Sequence, residues 1–82
     1  MEKRIGVIAI VVEDREKVGD KLNFYLSQFG EIIIGRMGVP YKERNISVIS
    51  LIVDGTTDEI GALTGKLGNL KGVKVRTAFT SK

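Results

Sequence analysis

The sequence predicts an α+β domain whose elements follow one another as strand, helix, strand, strand, helix, strand. Three observations carry this. Four short β-branched runs are set off by charged or glycine-containing breaks. Two longer segments between them repeat apolar residues at helical spacing. Each of those segments opens on a capping signal and closes near a glycine.

Ile5 to Val12 is β-branched, short and bounded by charge, as a buried strand should be. Asp14 then offers an N-cap, with acids near the positive end of the coming helix. Val18, Leu22, Tyr25, Leu26 and Phe29 fall on one helical stripe, and Gly30 is the expected stop. Glu31 to Val39 reads as the second strand, closed by Pro40; Ile46 to Val53 is the third, ending at Asp54-Gly55. Thr56 and Glu59 have capping-box spacing. Ile60, Leu63, Leu67 and Leu70 mark the buried face of the second helix, which Lys71-Gly72 ends. The fourth strand runs from Gly72 to Thr80 with Val73, Val75, Thr77 and Phe79 on one face. This order is that of the ferredoxin-like βαββαβ sandwich: a four-stranded antiparallel sheet, strands one and three central, with two helices on one face.

At 82 residues, the whole of 1–82 forms one domain near the small end of what a single core stabilises. No signal peptide precedes Ile5, and no apolar run is long enough to span a bilayer, so the expected location is cytoplasmic, with no membrane partner. The absence of cysteine excludes disulfides and thiolate metal sites. The absence of histidine removes the usual metal ligand and the usual general base. No nickel, zinc or iron site is expected, and no cofactor. The net charge of +3 is spread among acids, which suits weak attraction to anions but not a nucleic-acid arm. Nor do the strands carry the exposed aromatic pair of an RRM.

Catalytic patterns are thin. Ser27, Ser47, Ser50 and Ser81 have no histidine partner, and the acids Asp54, Asp58 and Glu59 gather where a helix begins. Gly61 to Lys66 is one residue short of a phosphate loop and lies inside a helix. The chain therefore reads as a non-enzyme. Other features point to assembly. The central strands are apolar on both faces, whereas a sheet with one wet face should alternate; a partner subunit over the second face accounts for that. Gly61, Gly65 and Gly68 share one flank of the second helix and together cost roughly 3 kcal/mol relative to alanine. That flank is either packed tightly on its own chain or approached closely by a subunit or ligand. Phe24 points away from the first helix's stripe.

The least regular stretch is "IGRMGVPYKERN", Ile34 to Asn45. Arg36 interrupts an apolar strand, and a guanidinium there calls for a carboxylate or phosphate. Gly35, Arg36, Gly38, Tyr41 and Arg44 are expected to line a pocket or seam at a subunit boundary, stiffened by Pro40. The alternative is a solvent-facing edge strand whose arginine guards against aggregation.

The segments "EKRIGVIAIVVEDRE", "IIIGRMGVPYKERNISVISLIVDG" and "TDEIGALTGKLGNLKGVKVRTAFTS" resemble the short proteins of the iron-only hydrogenase system regulator family over essentially the whole chain. The fold is also similar to ACT domains, which bind amino acids or other small effectors between subunits. "LGNLKGVKV" resembles the end of the nickel-responsive regulator's effector domain, but Val75 stands where its metal-binding histidine would be. The nickel site is not carried over, and the DNA-contacting arm is missing. The resemblance implies regulation by one of two routes. One is an ACT-like module, a homo-dimer or tetramer, that senses a small anionic or amino-acid-like effector at Asp14, the Ile34–Asn45 stretch or the helical glycines. The other is a structural protein docking on a regulatory or hydrogenase-maturation partner.

Overall fold

Alternation along the strands decides which residues meet the helices. In the computed structural model, which describes residues 2–80, the elements are β1 (Arg4–Val12), α1 (Arg15–Gln28), β2 (Ile33–Tyr41), β3 (Ile46–Gly55), α2 (Thr57–Gly68) and β4 (Val73–Phe79). Ser81 lies outside the described residues. The sheet is antiparallel throughout, in the order β2-β3-β1-β4. Ile8, Ile10 and Val12 of β1 and Ile49, Leu51 and Val53 of β3 are buried on one face, with Val18, Leu22 and Leu26 of α1 and Ile60, Leu63 and Leu67 of α2 packed over them. This is the expected α+β ferredoxin-like arrangement.

Local chemistry explains the element boundaries. Thr56 Oγ1 accepts from the Glu59 N–H at 3.1 Å, and Glu59 Oε1 accepts from the Thr56 N–H at 2.8 Å, completing the capping box of α2. The Thr56 backbone N–H, and then its hydroxyl, hold the Glu59 carboxyl below the usual glutamate range. Asp14 is the N-cap of α1, but its side chain makes no capping hydrogen bond; it lies 4.0 Å from Lys17 Nζ instead.

Four boundaries differ from the sequence reading. Helix α1 ends at Gln28 with Phe29 as its C-cap and Gly30 just past the end, as expected, but Gly30 opens a short 3₁₀ turn to Ile32, so Glu31 lies outside β2. Helix α2 ends at Gly68 with Asn69 as its C-cap, not at Lys71-Gly72. Gly72 is instead the turn residue before β4, with φ of 75° and its carbonyl accepting from the Glu13 N–H at 2.8 Å. Pro40 does not end β2. It stays in the ladder opposite Ser47, because an edge strand has one side on which a missing N–H breaks no bond.

The other face of the sheet has no helix. Leu51 is 0% exposed while its neighbour Ile52 is 46% exposed. Val7, Met37, Val39, Tyr41 and Val48 are exposed on the same side as Ile52. β2 reaches this arrangement through a register shift between Ile33 and Gly35.

Candidate functional site: a cleft between helix and edge strand

After the shift, β2 aligns Arg36 with Leu51, Gly38 with Ile49 and Pro40 with Ser47, so these three residues share the helix-side face. The facing side of α1 carries Arg15, Gly19 and Asn23, spaced by four residues and therefore stacked along one line. The two rows meet at one end, where Arg36 Nη2 donates to Asn23 Oδ1 at 3.1 Å. Next along come the two glycines, and there the rows leave a gap.

That gap is a cleft of about 260 Å³, lined by Arg15, Gly19, Leu22, Asn23, Arg36 and Gly38 together with Val12, Val39, Ser47 and Ile49. A Cβ built on Gly19 would meet only Arg15 Cγ, at 3.6 Å, and one on Gly38 only Ile49 Cγ1, at 3.8 Å. Both are ordinary contacts, so the two glycines keep open a space that side chains would otherwise fill. Among the described residues, no carboxylate lines the cleft. Neither Arg15 nor Arg36 has an ion-pair partner among the described residues. Ser47 is the buried polar residue of the site. Past Arg15 the cleft opens into a wider groove of about 660 Å³, where Glu13, Asp14, Glu16, Tyr41 and Lys42 lie.

The residues singled out in the sequence are thus distributed over several places. Arg36 and Gly38 line the cleft, and Tyr41 and Asp14 line the groove beyond it. Gly35 aligns with Ile52, on the open face of the sheet. Arg44 sits in the 3₁₀ turn Lys42–Arg44 and lines neither space. Gly61, Gly65 and Gly68 are exposed, and a Cβ on any of them would meet nothing within 4 Å. Tight packing against their own chain therefore does not explain them. The sequence reading passed over Arg15, Gly19 and Asn23, whose signal is a polar i, i+4, i+8 row beside the apolar stripe of α1. It weighed Ser47 only as a nucleophile.

A four-stranded antiparallel sheet in the order β2-β3-β1-β4, with two helices on one face, defines the α+β class of the ferredoxin-like fold. The chain belongs to the TM1266-like family, described as "Iron-only hydrogenase system regulator, putative", whose model matches residues 4–77. It is similar to the solved structure of the uncharacterized protein TM1266 from Thermotoga maritima, with 45% identity, 98% of this chain and 100% of that chain covered, and a TM-score of 0.93. Two more distant structures share the fold. One is titled "putative glycine cleavage system transcriptional repressor" (18% identity, 98% of this chain, 47% of that chain, TM-score 0.71). The other is a nitrogen regulatory PII-like protein from Thiomonas intermedia K12, solved with ADP, AMP and bicarbonate (15% identity, 99% and 96%, TM-score 0.52). No curated protein matches the chain. Among the described residues, no helix is long and apolar enough to cross a membrane.

Proposed function

We propose that this chain is a non-catalytic regulatory module of the iron-only hydrogenase system that self-associates and responds to a small anionic effector. The observation that carries this reading is the cleft between α1 and β2, where, among the described residues, two guanidiniums have no ion-pair partner and no acid lines the space. A guanidinium without a counter-charge binds carboxylate or phosphate with good geometry. Family membership supports the regulatory role, and the ACT-like fold supports effector sensing.

Self-association is supported by the open sheet face, where Val7, Met37, Val39, Val48 and Ile52 stand exposed together. A stable pair of subunits needs about 800 Å² buried on each partner, and most of the large apolar residues left exposed lie on this face. Gly35 and Tyr41 belong to that face. The exposed glycines of α2 offer a second surface for close approach. The same apolar face would equally suit a hydrogenase-maturation partner, which is the competing reading.

Thermal-shift measurements against carboxylates, amino acids, phosphates and nucleotides, run alongside multi-angle light scattering, test the proposal. It expects a dimer or tetramer at micromolar concentration and a melting temperature raised by at least one class of anion. A monomer that responds to no small molecule would favour the docking protein.

A further inference from the structure

Arg15 and Arg36 do not sit side by side. Arg36 is anchored at the Asn23 end of the cleft by its 3.1 Å hydrogen bond. Arg15 stands two helical rungs away, past Gly19. The eight-residue step from position 15 to position 23 spans about 12 Å of helix axis at 1.5 Å per residue. Arg15 lies in the first turn of α1, where the helix dipole adds to its positive field. Between the two cations the floor is apolar, formed by Leu22, Val12 and Ile49, and the walls are the two glycines. The cleft therefore has a guanidinium at each end and an apolar floor between them, with the acids Glu13, Asp14 and Glu16 beyond Arg15 in the outer groove.

From this juxtaposition we infer that the effector is a short-chain dicarboxylate, one carboxylate on each arginine and the methylene chain lying over Leu22 and Ile49 between Gly19 and Gly38. The inference rests on the effector-sensing reading above and narrows it. A monocarboxylate would leave one guanidinium unneutralised. A zwitterionic amino acid would bring an ammonium into a space with no acid to receive it, the nearest carboxylates being those of Glu13, Asp14 and Glu16 in the outer groove. Inorganic phosphate would concentrate its charge at one point, which does not match cations at opposite ends. Burying methylenes on the apolar floor adds chain-length selectivity.

Isothermal titration calorimetry of the full chain against succinate, glutarate and adipate, each paired with the monocarboxylate of equal carbon number, tests this. At least one dicarboxylate should bind ten-fold or more tightly than its monocarboxylate. Arg15→Met and Arg36→Met, both at exposed positions, should each reduce that ratio to about three-fold or less, as expected when a charge-assisted contact is lost. Gly38→Val should abolish binding while leaving the melting temperature of the free protein unchanged or raised, because its side chain enters open space. Equal affinity for the paired acids, tighter binding of inorganic phosphate, or a ratio that survives both arginine substitutions would overturn the inference. A melting shift with amino acids or nucleotides but none with dicarboxylates would overturn it too, yet leave the effector-sensing reading intact. If no small molecule of any class binds, both readings fall.

Discussion

The two helices rest on opposite edges of the same sheet and are treated very differently by them. Under α2, the edge strand β4 offers Val73 and Val75, and the helix answers with Ile60, Leu63 and Leu67, each at most 1% exposed. Under α1, the edge strand β2 offers Arg36, Gly38 and Pro40, and the helix answers with Arg15, Gly19 and Asn23. One side closes into core and the other into a cleft. The stripes of the two helices are alike in kind, so the difference comes from the edge strands and from the polar row beside the α1 stripe. A domain this small leaves one edge open while Ile60, Leu63 and Leu67 on the other side supply fully buried core.

Substitutions on the two sides should separate them, starting with the largest effect. Leu63→Ala removes a fully buried side chain from the closed side and should cost about 2–5 kcal/mol in urea denaturation. A cost below 1 kcal/mol would mean that α2 is not the stability half. The helix caps come next. Thr56→Ala breaks a formed capping box and should cost about 1 kcal/mol. Asp14→Ala removes a cap that makes no hydrogen bond, and equilibrium unfolding should register only a few tenths of a kcal/mol.

The same box makes the closed side acid-sensitive. The folded-state pKa of Glu59 is depressed, so its contribution is present above the unfolded glutamate value and is lost as pH falls through the folded one. Stability should therefore decline on the acid side of the glutamate range, and that decline should be smaller in Glu59→Gln. Equal slopes in the two proteins would show that the box does not titrate as described. The smallest effects concern glycines in open space. Gly61→Ala should stabilise the free chain by up to about 1 kcal/mol through helix propensity alone, read as a raised melting temperature. If the same change weakens assembly in light scattering, a partner's backbone lies against that flank.

Most of the closed side was legible in the sequence, because its signals are local. The Thr56–Glu59 spacing and the Ile60, Leu63, Leu67 stripe lie within a few residues of one another, and so does the alternation of β4. Turn chemistry was harder. Gly30 and Gly72 both follow apolar helical stripes, yet only Gly72 adopts positive φ, and that depends on how Glu13 docks against it. Pro40 looked like a stop because its position at a sheet edge is a tertiary fact. The cleft was half visible. Arg36 and Gly38 stand out in an apolar strand, but their partners lie on α1, and only the pairing of α1 with β2 reveals that two glycines face one another. Gly35 and Arg44 come from the same stretch of sequence and were separated from that pair by strand parity and by a turn.

The register shift at Ile34 has a consequence for how this architecture could change over time. Ile33 faces the core opposite Val53, and strict alternation from there would turn Gly35, Met37, Val39 and Tyr41 inward and Arg36, Gly38 and Pro40 outward. The one supernumerary residue inverts that order for the rest of the strand. Pulling the bulge flat at unchanged length would hand α1 a methionine and a valine to sit on and would carry the arginine to the far side of the sheet, whereas deleting the extra residue would leave Arg36 and Gly38 on the face they hold now. The flattened strand would gain a filled interior and lose a hollow in one step. Hollow and solid forms of this architecture are thus separated by a slip of one residue in the β2 ladder rather than by a series of point changes.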